Sequence, residues 1–168
     1  KVLFLASNYG LWAEELQAPW DACNEAGFET VLSTYTGKTP LPLKVSVEAG
    51  FVDPVQDVVM TPEEVADRVN EILDDGEWED PVKTSEVEMD DFDAIVIVGG
   101  PGAGFDIDGS IKVHELVVNA YQDGKLVSAI CAGVPALAYP RHPDKEGRSL
   151  MHGKEAAAHP RSWDFAFD

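Results

Sequence analysis

Apolar runs of four to six residues recur along this chain, each followed by small or polar residues and then by a stretch with helical spacing. Residues 1–6 (KVLFLA) are the first run, residues 14–26 carry the 3.6-residue period of a helix, and residues 28–34 (FETVLST) return to β-branched alternation. That order predicts strand, helix, strand. Residues 93–98 (DAIVIV) form an uninterrupted β-branched run that stops at Gly99-Gly100. Such a run is the pattern of a parallel strand covered on both faces. A helix is expected over 110–122, closed by Gly124, and a further buried strand over 126–130 (LVSAI) that runs directly into Cys131-Ala132-Gly133 and a short helix.

Between the second and third strands the pattern breaks. Residues 37–54 are rich in Gly and Pro and read as an irregular excursion, after which Thr61-Pro62-Glu63-Glu64 predicts a capping box opening a helix that ends near Asp75. Repeated strand, helix, strand order predicts an α/β fold: one doubly wound parallel sheet sandwiched by helices in three layers, with its site beyond the carboxyl ends of the strands. The 168 residues make one domain, and a hydrophobic content of 45% closes a core without disulfide staples.

Charge narrows the function classes. Against 12 Lys+Arg stand 31 Asp+Glu, a net charge of −19, which makes nucleic acid and anionic membrane poor partners. The acids are spread from Glu14 to Asp168, so the expectation is an acidic shell over the whole fold, either of the halophilic kind, best tolerated where salt screens it, or that of a merely acidic mesophile protein. Two cysteines, Cys23 and Cys131, with no CxxC pair argue against zinc and for a reducing, cytoplasmic home. No apolar run approaches the roughly 18 residues of a membrane helix, and no signal peptide is visible.

The sharpest chemical feature is Cys131, which ends a strand between small residues. This has the shape of a nucleophile elbow with cysteine in place of serine. The turn is expected to lift the sulfur to a helix N-terminus and lower its pKa. The alternative is a buried packing role, common for cysteine. Gly99 to Gly104 (GGPGAG) fails as a dinucleotide fingerprint, because Phe105 stands where a third glycine belongs, and as a phosphate loop, because no Gly-Lys-Ser/Thr follows. It reads either as a flexible turn or as half of an oxyanion hole, Gly100 N–H acting with Ala132 N–H. Glu14 and Glu15 sit at a helix start, where acids ordinarily complement the macrodipole. His114-Glu115 reads as a surface pair, Cys23 as core, and Trp12, Trp20 and Phe105 either wall the site or fill the core.

Glu15 followed by Pro19, the Gly99-Gly100 turn and residues 128–133 (SAICAG) resemble the ThiJ/PfpI superfamily, with its flavodoxin-like, class I glutamine amidotransferase-like fold. The likeness runs over nearly the whole chain. Residues 9–19, 38–54 and 99–106 look most like its longer glyoxalase III and heat-shock chaperone branch. The resemblance implies Cys131 as nucleophile and Glu15 as the buried, protonated carboxyl that donates to the thiolate. Ala132 departs from the long branch, which usually places a histidine there. The Cys-Ala-Gly form is instead like the short branch, where a later His-Pro supplies the base, and His159-Pro160 resembles that motif; His142-Pro143 and His152 are its rivals. By the same resemblance the chain stops short of a terminal strand and helix, and a homodimer is expected.

What the resemblance implies is a stress-response enzyme, needing no cofactor or metal, that converts a small aldehyde such as methylglyoxal or glyoxal to a hydroxy acid. Two other readings stay open: an amide hydrolase or peptidase built from the same parts, and a redox sensor or holdase in which Cys131 oxidises without turnover. A glutamine amidotransferase is disfavoured, since residues 159–161 (HPR) stand where that class has His-x-Glu.

Overall fold

The computed structural model describes residues 1–159. The expected stop before a terminal strand and helix falls outside those residues. In chain order the elements are β1 (Val2–Ala6), β2 (Tyr9–Leu11), α1 (Ala13–Glu25), β3 (Thr30–Thr34), β4 (Leu41–Pro42), a 3-10 turn (Lys44–Ser46) and α2 (Glu63–Asp75). They continue with β5 (Val82–Lys83), β6 (Ala94–Ile97), α3 (Ala103–Asp106), α4 (Ile111–Gln122), β7 (Leu126–Ala129) and a 3-10 helix (Cys131–Leu137).

Five strands form one parallel sheet in the order β5-β3-β1-β6-β7. β1 is central, its Val2 paired with Thr30 of β3 on one side and Ala94 of β6 on the other. Alternate side chains of the buried strands serve opposite layers, as a two-residue period requires. Leu3, Leu5, Ile95 and Ile97 pack with Val113, Leu116 and Val117 of α4. Val2, Phe4, Ala6 and Val96 pack with Leu16 and Trp20 of α1 and with Val69 and Ile72 of α2. The result is the three-layer α/β/α sandwich expected for this class.

Local expectations fare unevenly. The helix predicted over 14–26 spans Ala13–Glu25, and Gly76 and Gly124 both follow helices at positive φ (73° and 69°). The strand expected from residue 28 starts at Thr30, leaving Phe28 exposed. The capping box does not form: Pro62 is the cap of α2, and Thr61 Oγ1 donates instead to Val45 O at 2.8 Å. The strand over 126–130 is not buried. β7 has a hydrogen-bonded neighbour only on its β6 side among the described residues, so Leu126 is exposed and Val127 to Ala129 half-buried. A run of apolar residues cannot by itself tell a central strand from an edge strand.

The excursion over 37–54 is irregular but anchored. β4 pairs in parallel with β2, Leu43 N–H donates to Leu11 O at 2.9 Å, and Ala13 N–H donates to Ser46 Oγ at 3.1 Å. These bonds hold the excursion over the start of α1, at the carboxyl end of β1.

Candidate active site

Cys131 lies two residues beyond Ala129, the end of β7, and has φ of 50°, in the left-handed region, whereas Ile130 before it is extended. A non-glycine residue in that conformation is strained, and the reversal it produces turns the side chain out of the sheet. The helix after it is a short 3-10 segment rather than an α-helix, so a macrodipole contributes little; the Ala132 and Gly100 amides hydrogen-bond the sulfur individually. Gly100 has φ of 92°, and a Cβ there would overlap Gly10 O and Trp12 N, so the loop carrying this amide can be built only with glycine.

Glu15 comes from the first turn of α1. Its carboxyl is held by the Gly99 amide and the Cys131 thiol, while Oε2 is buried with no well-aligned hydrogen-bond partner. Burial is the largest influence and raises this carboxyl above its ordinary value. Burial, followed by the charge and hydrogen bond of Glu15, pushes the Cys131 thiol up to about 11, with the Ala132 and Gly100 amides pulling the other way. This corrects the expectation of a thiol lowered by the elbow itself: removal of sulfur and carboxyl from water outweighs the two amides. The two groups titrate as a pair. Burial raises both groups, and the hydrogen bond between them couples the loss of one proton to the position of the other.

Of the three candidate histidines, His159 is the one placed at this pair: its Nδ1 lies 3.7 Å from Cys131 Sγ. His142 packs on Tyr121, with Nε2 3.2 Å from the phenol oxygen, and accepts from Asp144 N–H through Nδ1. His152 lies against Arg148, 2.7 Å from Nη1. His114 stacks on Tyr139 and contacts Asp108 O, away from the sulfur's surroundings. Cys23 packs against the core beside Trp20, which meets Phe4 edge to face at 5.4 Å; Phe105 is 90% exposed and neither walls the site nor fills the core. Among the described residues no group of three or more His, Cys, Asp or Glu is placed to hold a metal, and no helix is long and apolar enough to cross a membrane.

Cys131, Glu15, His159, Gly100 and Ala132 all border one cavity of about 550 Å³. Trp12 also walls it. Sequence reasoning missed the far wall, Leu43, Val45, Phe51, Asp53 and Met60, all from the anchored excursion and the loop before α2. The only sequence signal was apolar residues kept within a Gly/Pro-rich segment, without periodicity. A second, more open groove of about 630 Å³ carries no nucleophile, and its Arg68 is bound by Asp21, Glu71 and Glu77.

The model of the DJ-1/PfpI family matches residues 1–149. The chain belongs to this family. As a DJ-1/PfpI protein it is 26% identical over 175 residues to the glutathione-independent glyoxalase hsp3101 of Schizosaccharomyces pombe, a match covering 94% of this chain and 66% of that protein. It thus spans just under two thirds of that relative's length. Among solved structures, glyoxalase III of Candida albicans superposes with a TM-score of 0.74 at 22% identity, covering 98% of this chain and 70% of that one. The Rapid Encystment Protein 24 KDa of Francisella tularensis superposes at 0.76 and 19%, covering 99% and 72%. These neighbours share the fold of this DJ-1/PfpI chain.

Proposed function

We propose that this protein is a cofactor-independent glyoxalase that isomerises and hydrates an α-oxoaldehyde to a 2-hydroxy acid through Cys131. One observation carries the reading: a strained cysteine is hydrogen-bonded to a buried carboxyl and has an imidazole nitrogen 3.7 Å from its sulfur, at the edge of a cavity. The glyoxalase named among its relatives agrees with it.

In the mechanism the Cys131 sulfur adds to the aldehyde carbon while Glu15 keeps the pair's proton, and the carbonyl oxygen becomes an alkoxide beside the Gly100 and Ala132 N–H groups. Glu15 then passes its proton to that oxygen; His159 takes the proton from the former aldehyde carbon, giving an enediolate whose hydroxyl proton moves to the former ketone oxygen, and returns the carbon proton to the neighbouring carbon. The product of this transfer is a thioester of the hydroxy acid. Water cleaves it, releasing the acid and restoring the thiol, so the net reaction adds one water and needs no oxidant. An amide hydrolase would use the same thiol and amides on a different carbonyl.

The test is proton NMR of methylglyoxal incubated with chelator-treated protein in the absence of glutathione. Lactate is expected with the wild type and not with Cys131→Ala. Absence of lactate from the wild type, together with ready oxidation of Cys131, would turn the reading to the sensor or holdase.

A further inference from the structure

Resting on that reading, we infer that the site selects α-oxoaldehydes carrying a large apolar group, an aryl ring above all, over methylglyoxal and glyoxal. The cavity is about 550 Å³. Methylglyoxal displaces the volume of a few waters, at about 30 Å³ each, and would leave most of that space filled with solvent.

The wall that would meet the remainder of a larger substrate is apolar. Trp12, Leu43, Val45, Phe51, Met60 and Pro101 line it. Trp12 and Phe51 pack against each other with ring centroids 6.1 Å apart and planes tilted by 58°, so that together they present an aromatic surface on the cavity wall. The one carboxyl on this wall, Asp53, is only 4% exposed, and its Oδ1 accepts from the Val55 and Gln56 N–H groups at 2.7 Å each. Asp53 therefore shapes the loop.

The wall is also preformed. Thr61 Oγ1 donates to Val45 O at 2.8 Å, Met60 N–H to Phe51 O at 2.8 Å, and Leu43 N–H to Leu11 O at 2.9 Å. A pocket held open in this way loses little freedom when filled, so the binding of an apolar group is not spent on ordering the loop. A single added methylene in such a pocket gives discrimination of about 10-fold or more.

Two readouts test the preference. The first is kcat/KM for phenylglyoxal and methylglyoxal, each divided by that aldehyde's rate of addition to free cysteine. The ratio should favour phenylglyoxal by about 10-fold or more, and Met60→Ala and Phe51→Ala should each erode it. The second needs no turnover: alkylation of Cys131 by N-phenyl iodoacetamide against iodoacetamide, normalised in the same way. The aryl probe should saturate and react about 10-fold faster or more. Equal normalised rates for the two probes would overturn the inference, and methylglyoxal turnover would then still uphold the glyoxalase reading. An aryl preference in alkylation with neither aldehyde turned over would keep the pocket and defeat that reading instead. Far-UV circular dichroism of both variants, with Met60→Ala as the milder change, separates loss of the wall from loss of fold.

Discussion

The Glu15 carboxyl occupies the space that a side chain on Gly99 would need. A Cβ there would overlap Glu15 Oε2 and would sit 2.6 Å from Ile130 O and 2.9 Å from Ala132 N. The acid from α1 and the turn after β6 are thus fitted to each other around the nucleophile, and residue 99 is glycine to admit the carboxyl. Gly99→Ala is expected to cost about 1–3 kcal/mol in chemical denaturation, the range for overpacking where backbone cannot yield. It should also push the carboxyl away from the sulfur and slow turnover further than the stability loss explains. Glu15→Gln, which keeps size and a donor but loses the transferable proton, should instead keep Cys131 reactive to iodoacetamide while turnover falls.

The histidines separate by substitution. His159→Ala should lower kcat by about 10²–10⁴, the ordinary contribution of a general base, with an unchanged circular dichroism spectrum. His142→Ala and His152→Ala, whose rings lie against Tyr121 and Arg148, should leave kcat within about 2-fold. A loss carried by His142 would move the base to the loop between Tyr139 and Gly147.

A different carboxyl controls stability at mild acidity. Burial pushes Asp108 up to about 6 from an ordinary 3.8, with His114 opposing and Asp106 adding to the rise. Between those two values the folded protein keeps a proton that the unfolded chain has released, so stability falls as pH rises through the window and the loss is complete above it. Asp108→Asn should therefore raise Tm at pH 7 and have little effect at pH 4. With screening by solvent at this half-buried position, the expected gain at pH 7 is on the order of 1 kcal/mol. An equal change at both pH values would show that the effect is packing and not ionisation.

The net charge of −19 makes a separate statement about solvent. Self-repulsion on so small a body is relieved as the Debye length contracts from about 10 Å at 0.1 M to about 3 Å at 1 M salt. Tm should climb as KCl rises from millimolar to molar, and a flat or falling curve would contradict adaptation to salt.

Much of this architecture could be read from the chain because its signals are local. The β-branched run ending at Gly99-Gly100 and the strand ending at Cys131 announce a parallel sheet and a sharp turn, and these residues lie close together in the fold as well as in the pattern. Glu15 was harder: at a helix start it is indistinguishable from an acid serving the dipole, and only the resemblance singled it out. The far wall was not legible. Phe51 and Met60 sit in a segment with neither period, held by single hydrogen bonds to β2 and α1 that no propensity encodes. Thr61 shows the same limit, since its capping signature lost to Val45 O, a partner distant in sequence. The ionisation of Cys131 also escaped, because the elbow pattern speaks of amides and is silent about how deeply the sulfur is buried.

The most direct test of the account is the pH dependence of iodoacetamide labelling at Cys131, read by mass spectrometry with Cys23 as internal comparison. If Glu15 can take up the proton of its hydrogen bond with Cys131, part of the sulfur is thiolate below the value set by burial. Labelling should then rise by less than tenfold per pH unit, and at pH 7 run ahead of Cys23. A rate that instead rises tenfold per pH unit without a plateau, towards the value of about 11 set by burial, with Cys23 reacting first at pH 7, would show a buried thiol with no nucleophilic role.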